Sequence, residues 1–148
     1  MPNQNNVPRI ITPEAEQVAR AVRAWLNTNT EIPEPMVDVD FLGEESGMAI
    51  MTTQAAYKTR QYICGGYEAQ YQFVIYYRTI PTTANERLSA DEILNNLATW
   101  AEVNTPTLPE VCKNALVYRM TNAALLGVMA NGAEDHTIQM MIKYEVNV

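Results

Sequence analysis

The stretch Tyr67-Glu68-Ala69-Gln70-Tyr71-Gln72-Phe73-Val74-Ile75-Tyr76-Tyr77-Arg78 decides the fold. Its β-branched and aromatic residues suit a pleated surface, which predicts the central strand of a sheet. Gly65-Gly66 immediately before it, and Lys58 to Cys64 before that, predict the turn and first arm of a hairpin. Further upstream, Met36 to Leu42 alternates apolar and acidic residues, the period-two pattern of a half-buried strand. Its Asp38 and Asp40 share one face, opposite Val37, Val39 and Phe41. The turn-rich break Gly43-Glu44-Glu45-Ser46-Gly47 then predicts that Met48 to Thr52 returns as the second strand of another hairpin.

Helices flank these strands. Thr12-Pro13-Glu14-Ala15-Glu16 supplies a capping hydroxyl, a proline at the first helical position and two acids against the positive helix end. Val18, Ala21, Val22, Trp25 and Leu26 then form one apolar stripe, and the helix should end near Thr28 to Asn29, ahead of Pro33 and Pro35. Thr79 to Leu88 has no apolar period and reads as a long loop. Ser89-Ala90-Asp91-Glu92 reads as a capping box opening a second helix, with Ile93, Leu94, Leu97, Trp100 and Ala101 on one side and Asn104-Thr105-Pro106 at its end. After the link Thr107-Leu108-Pro109, Ala115–Thr121, Ala123–Met129 and Thr137–Val146 read as three further strands, with a turn at Asn131 to Asp135. The expected fold class is α+β, a mostly antiparallel β-sheet with two main α-helices packed on it. Residues 12–148 should form one domain behind a flexible arm, residues 1–11. No period of repeat-protein length recurs.

The 148 residues weigh 16.6 kDa and are 47% hydrophobic but only 18% charged. That apolar share builds a core, and the low charge leaves a neutral surface of the kind covered by partner subunits. Ten cationic against 17 acidic side chains give a net charge of −7 and a pI near 4.6, which opposes binding to phosphate backbones. Two cysteines, Cys64 and Cys112, without CxxC spacing fit a reducing compartment and no disulfide scaffold. The polar start, Met1 to Asn6, has no signal-peptide grammar, and the longest apolar run, Ala123 to Ala130, is far too short to span a bilayer, so a soluble protein is expected.

No catalytic or metal site is expected. His136 is the only histidine, and with Cys64 and Cys112 it lacks zinc-site spacing. It reads instead as a turn cap at the surface. Asp135 and His136 make no catalytic pair, because neighbours in a strand point to opposite faces. Cys64, beside Gly65-Gly66, has no nucleophile motif around it and reads as a small buried hydrophobe. Asp38 and Asp40 read as a solvated or pore-lining face. Five of eight tyrosines (Tyr62, Tyr67, Tyr71, Tyr76, Tyr77) crowd the middle hairpin, which suits either an interface or simply a sheet. Met48, Met51, Met129, Met140 and Met141 read as core or subunit-contact filler.

Ala24-Trp25-Leu26-Asn27-Thr28-Asn29-Thr30, followed by Val39-Asp40-Phe41-Leu42-Gly43-Glu44-Glu45, resembles the minor capsid or tail-terminator proteins of tailed bacteriophages. Further matching pieces follow in the same order: Gly65-Gly66 with Tyr71-Gln72-Phe73, then Leu97-Ala98-Thr99-Trp100, then Ile138 to Tyr144. The likeness spans residues 18 to 147 and carries over no catalytic residue and no cofactor. It implies a virion protein of the head–tail neck, made in the host cytoplasm: a homo-oligomeric ring, usually of six, that caps the tail tube protein and docks to the head–tail connector or stopper. Six copies would carry a formal −42, six times −7, so double-stranded DNA would pass without specific binding. No membrane is implied. The expected assembly-interface residues are Glu44 and Glu45, then Thr82, Thr83, Asn85, Glu86 and Arg87, with Tyr71 and Tyr77; Asp38 and Asp40 are the expected acidic pore lining. A head-completion or stopper protein is the neighbouring alternative, and a small ligand-binding domain or enzyme the alternative from another class.

Overall fold

Two strands of 13 residues, β4 (Tyr67–Thr79) and β7 (Glu134–Val146), pair antiparallel along their whole length, from Tyr67 opposite Val146 to Thr79 opposite Glu134. The computed structural model describes residues 14–38, 42–43 and 46–147. Around this ladder lie α1 (Glu14–Leu26), β1 (Met36–Asp38), β2 (Gly47–Thr52), β3 (Lys58–Gln61), α2 (Ala84–Val103), β5 (Cys112–Arg119) and β6 (Ala124–Val128). The seven described strands form one sheet in the order β1-β2-β4-β7-β5, with β3 on the first part of β4 and β6 on the first part of β7. The chain is α+β with a mostly antiparallel sheet and two helices, as the sequence predicts.

Both helices cover the same face of the sheet. Val18, Val22 and Leu26 of α1 and Leu94, Leu97 and Ala101 of α2 share one buried cluster with Phe73 and Ile75 of β4 and Ile138, Met140 and Ile142 of β7. Strand parity puts all of those β residues on one side. Trp25 and Trp100 stack at 5.3 Å between ring centroids and join the helices to each other. The β3–β4 turn needs its glycines: Gly65 has φ +100°, and a side chain on Gly66 would sit 2.8 Å from the Val146 carbonyl oxygen.

Two expectations about the elements are corrected. β1 and β2 are parallel, Met36 beside Met48 and Asp38 beside Ile50, and do not form a hairpin. The reason lies at the end of α1, where the Asn27 side chain accepts from the Met36 amide at 2.7 Å and donates to its carbonyl at 3.3 Å. That clamp starts β1 beside α1 and sets its direction. The expected remainder of this strand, including Asp40, lies outside the described residues apart from Leu42, which is not in a strand.

Helix α2 begins at Ala84, so the expected loop shrinks to Ile80–Thr83. Its cap is Thr83, whose hydroxyl accepts from the Glu86 amide at 3.2 Å, while the Glu86 carboxylate accepts from the Thr82 amide at 2.5 Å. Ser89 is already inside the helix and donates back to the Asn85 carbonyl. The first turn was invisible to periodicity because residues 84–88 all face water, and the buried stripe starts only at Ala90.

Candidate assembly surface

A polar seam on α2 fixes the far side of the sheet. Arg87, Asp91, Asn95 and Thr99 recur every four residues and so share one helix side. Arg87 donates to Glu134 at 3.0 Å, and Asp91 lies 2.7 Å from His136 Nδ1. Asn95 accepts from the Ala123 amide at 3.1 Å, and Thr99 accepts from Arg119 at 2.5 Å, with Glu102 adding an ion pair to Arg119 at 3.2 Å. His136 and Glu134 are almost wholly buried. The reading of His136 as a surface turn cap is therefore corrected: its side of β7 is covered by α2. Arg87 holds the Glu134 carboxyl below the usual carboxylate range.

The seam ends where the surface turns apolar. Every residue of β6 is exposed, including Leu126 at 63% and Val128 at 61%. Across Ala123 to Ala130 there is no charge and no proline. Among the described residues β6 pairs with β7 on one side only, while β5 lies end to end with it along the same strand and adds exposed Leu116 and Tyr118. Native edge strands are ordinarily protected by lysine, proline or a covering element. In this stretch neither residue type occurs.

Among the described residues no helix covers the opposite face of the sheet, although Val74 on it is only 6% exposed. Register puts Gln72, Val74 and Tyr76 of β4, Thr137, Gln139 and Met141 of β7, and Leu116 and Tyr118 of β5 on that face. Its middle is neutral. At one end Arg78 grips Asp135 through two hydrogen bonds of 2.6 and 2.8 Å and donates a third, 2.7 Å, to the Gly43 carbonyl.

The expected interface residues scatter. Thr82, Thr83 and Glu86 form the α2 cap, Asn85 is exposed in its first turn, and Arg87 is engaged with Glu134. Tyr71 is a core residue, 6% exposed, on the helix-covered face, with its hydroxyl 2.8 Å from that of Thr52. Tyr77 is half-buried on the same face. Asp38 pairs with Arg23 of α1 and stands on the helix side of β1 beside buried Met36. Glu44, Glu45, Asp40, the Thr12–Pro13 start and the arm at residues 1–11 lie outside the described residues. Cys64 is exposed at the β3–β4 turn, which corrects its reading as a buried hydrophobe, and both cysteines are free thiols.

One constellation escaped the sequence reading altogether. Glu14, 8% exposed at the start of α1, accepts hydroxyls from Tyr57, from Tyr67 at 3.0 Å and from Tyr144 at 3.2 Å. Burial, and then the Glu14 charge, push the Tyr144 hydroxyl up; the same two causes push the Cys112 thiol up to about 11. A thiol so shifted is protonated at neutral pH and is a poor nucleophile. Among the described residues no group of three His, Cys, Asp or Glu side chains is placed to hold a metal ion, and no helix is long and apolar enough to cross a membrane.

The chain matches no protein-family model and no curated protein.

Proposed function

We propose that this protein is a non-enzymatic virion component, a tail terminator whose copies form a ring, of six subunits, at the head–tail neck of a tailed bacteriophage. One face of the ring binds the last subunits of the tail tube, and the other offers them nothing to add to, so growth stops; that second face meets the connector. The net charge of −7 per copy makes the ring repel DNA in transit.

The structural observation that most supports this reading is the uncharged middle of the sheet face away from the helices, which lies between Glu68, Lys143 and Glu145 at one end and the Arg78–Asp135 pair at the other. A sheet with its described helices on one side only leaves Tyr76, Met141, Leu116 and Tyr118 on the other, among glutamines, threonine and Lys143. Aromatic and methionine side chains with few charges are the composition of interface cores. The ordered sequence resemblance to tail terminators supplies the biological setting.

Removing the gene from a phage that encodes this chain tests the reading by electron microscopy. The expected particles have overlong tails without heads. Tails of normal length that fail to join heads would make the chain a stopper or completion protein instead, and intact infectious particles would overturn the neck assignment.

A further inference from the structure

We infer that the β6 edge is a docking site for a second copy of this chain, joined by antiparallel strand addition. The inference deepens the assembly reading and rests on it only in that copies must meet; the place of the chain in a virus is not needed.

Three observations point to a second copy. The first is charge. Two chains of −7 repel, and contact is least opposed where neither backbone nor side chains add like charge. Ala123 to Ala130 is such a stretch: it is uncharged, and residues 124–130 are exposed.

The second is the shape of what must cover it. By register Leu125 and Val128 stand on the helix side of the sheet, opposite His136 and Glu134, while Ala124 and Gly127 stand on the other side. Leu126 is the extra residue of a bulge between Leu125 and Gly127. Apolar groups thus flank β6 above and below the sheet plane, and the exposed apolar surface continues through Met120 to Tyr118 and Leu116. A lone extended peptide would satisfy the free backbone groups but leave those side chains wet. A two-layer domain edge, sheet with helices above it, covers both.

The third is strand polarity. From β1 across to β6 the directions run up, up, down, up, down, and β3 runs up while β5 runs down. Both strands on one border of the sheet therefore oppose both on the other. A copy set alongside in the same orientation meets β6 antiparallel, the more stable pairing per residue. Main-chain hydrogen bonds then hold the junction while Leu126 and Val128 are buried.

The test compares wild-type protein with the double variant Leu126→Lys/Val128→Lys and with Val103→Lys, a control at an equally exposed apolar position on the last turn of α2. Sedimentation over a wide concentration range reads assembly, hydrogen exchange reads the amides of residues 124–128, and thermal melting confirms that each variant folds. Wild type should assemble, with those amides slowed at least about tenfold. The double variant should need about 30-fold more protein or greater to assemble, without a change in melting. Val103→Lys should behave as wild type.

Unchanged assembly of the double variant, or no slowing at residues 124–128, would overturn this edge and leave the neck assignment standing. A wild type that stays monomeric throughout would overturn copy-to-copy docking, whereas the neck assignment is judged separately on the particles.

Discussion

Glu14 is withdrawn from water and offset by three tyrosine hydroxyls, from Tyr57, Tyr67 and Tyr144. Those partners come from residues 57 to 144, so no local pattern could announce them; the sequence showed only an acid at the start of a helix. The same carboxylate acts on Cys112, whose thiol is shifted up to about 11 by burial first and by Glu14 second. Iodoacetamide at pH 8 should therefore label the native chain once, at exposed Cys64, and twice in urea. Intact-mass spectrometry checks the count, and two adducts on native protein would contradict the burial described for Cys112.

Helix α2 separates what an element announces from what it hides. Its buried stripe was legible because Leu94, Leu97 and Ala101 repeat with the helical period. Its start was not: two successive four-residue segments, Thr83 to Glu86 and Ser89 to Glu92, satisfy the same capping-box rule, and only the surrounding fold selects the first. Thr83→Ala should cost about 1 kcal/mol in urea unfolding, and Ser89→Ala much less than half of that. Equal losses would return the cap to Ser89. The sheet shows the same division. The long strand β4 was readable from β-branched and aromatic content and β7 only from Thr137 on, its start at Glu134 lying inside the expected turn Asn131 to Asp135, whereas the parallel β1–β2 pair depends on an Asn27 clamp that has no signature in the strands themselves. β6 was visible as the longest apolar run, but nothing local distinguishes an edge strand from a buried one.

Across the molecule, acid should strike the α2–β7 junction first. The Glu134 carboxyl lies below its ordinary value chiefly because Arg87 donates to it, and that of Glu86 because the Thr82 amide does. A lowered folded pKa contributes stability that is complete above the unfolded value, about 4.3, and is lost as pH falls through the folded one. Urea midpoints should thus hold steady from about pH 6 to 8 and drop below about pH 4. Arg87→Ala leaves buried Glu134 without its cation and should lower the urea midpoint at pH 7. Pairing it with Glu134→Leu should restore much of the loss; a double variant as weak as the single one would show that the pair is not the cause.

The β4–β7 ladder also governs when the chain can fold. Its two strands are separated by residues 80–133, so the widest seam of the sheet closes only after a long excursion that includes all of α2. Non-local pairing of this kind is slow, because loop-closure entropy is lost before any contact repays it. During translation β4 emerges with β2 and β3 beside it but with its other border open until residues 134–146 have been made. A half-finished sheet must wait at the ribosome with one border of β4 unpaired, even though both helices are already made, which makes the nascent chain, more than the mature one, the natural client of a chaperone.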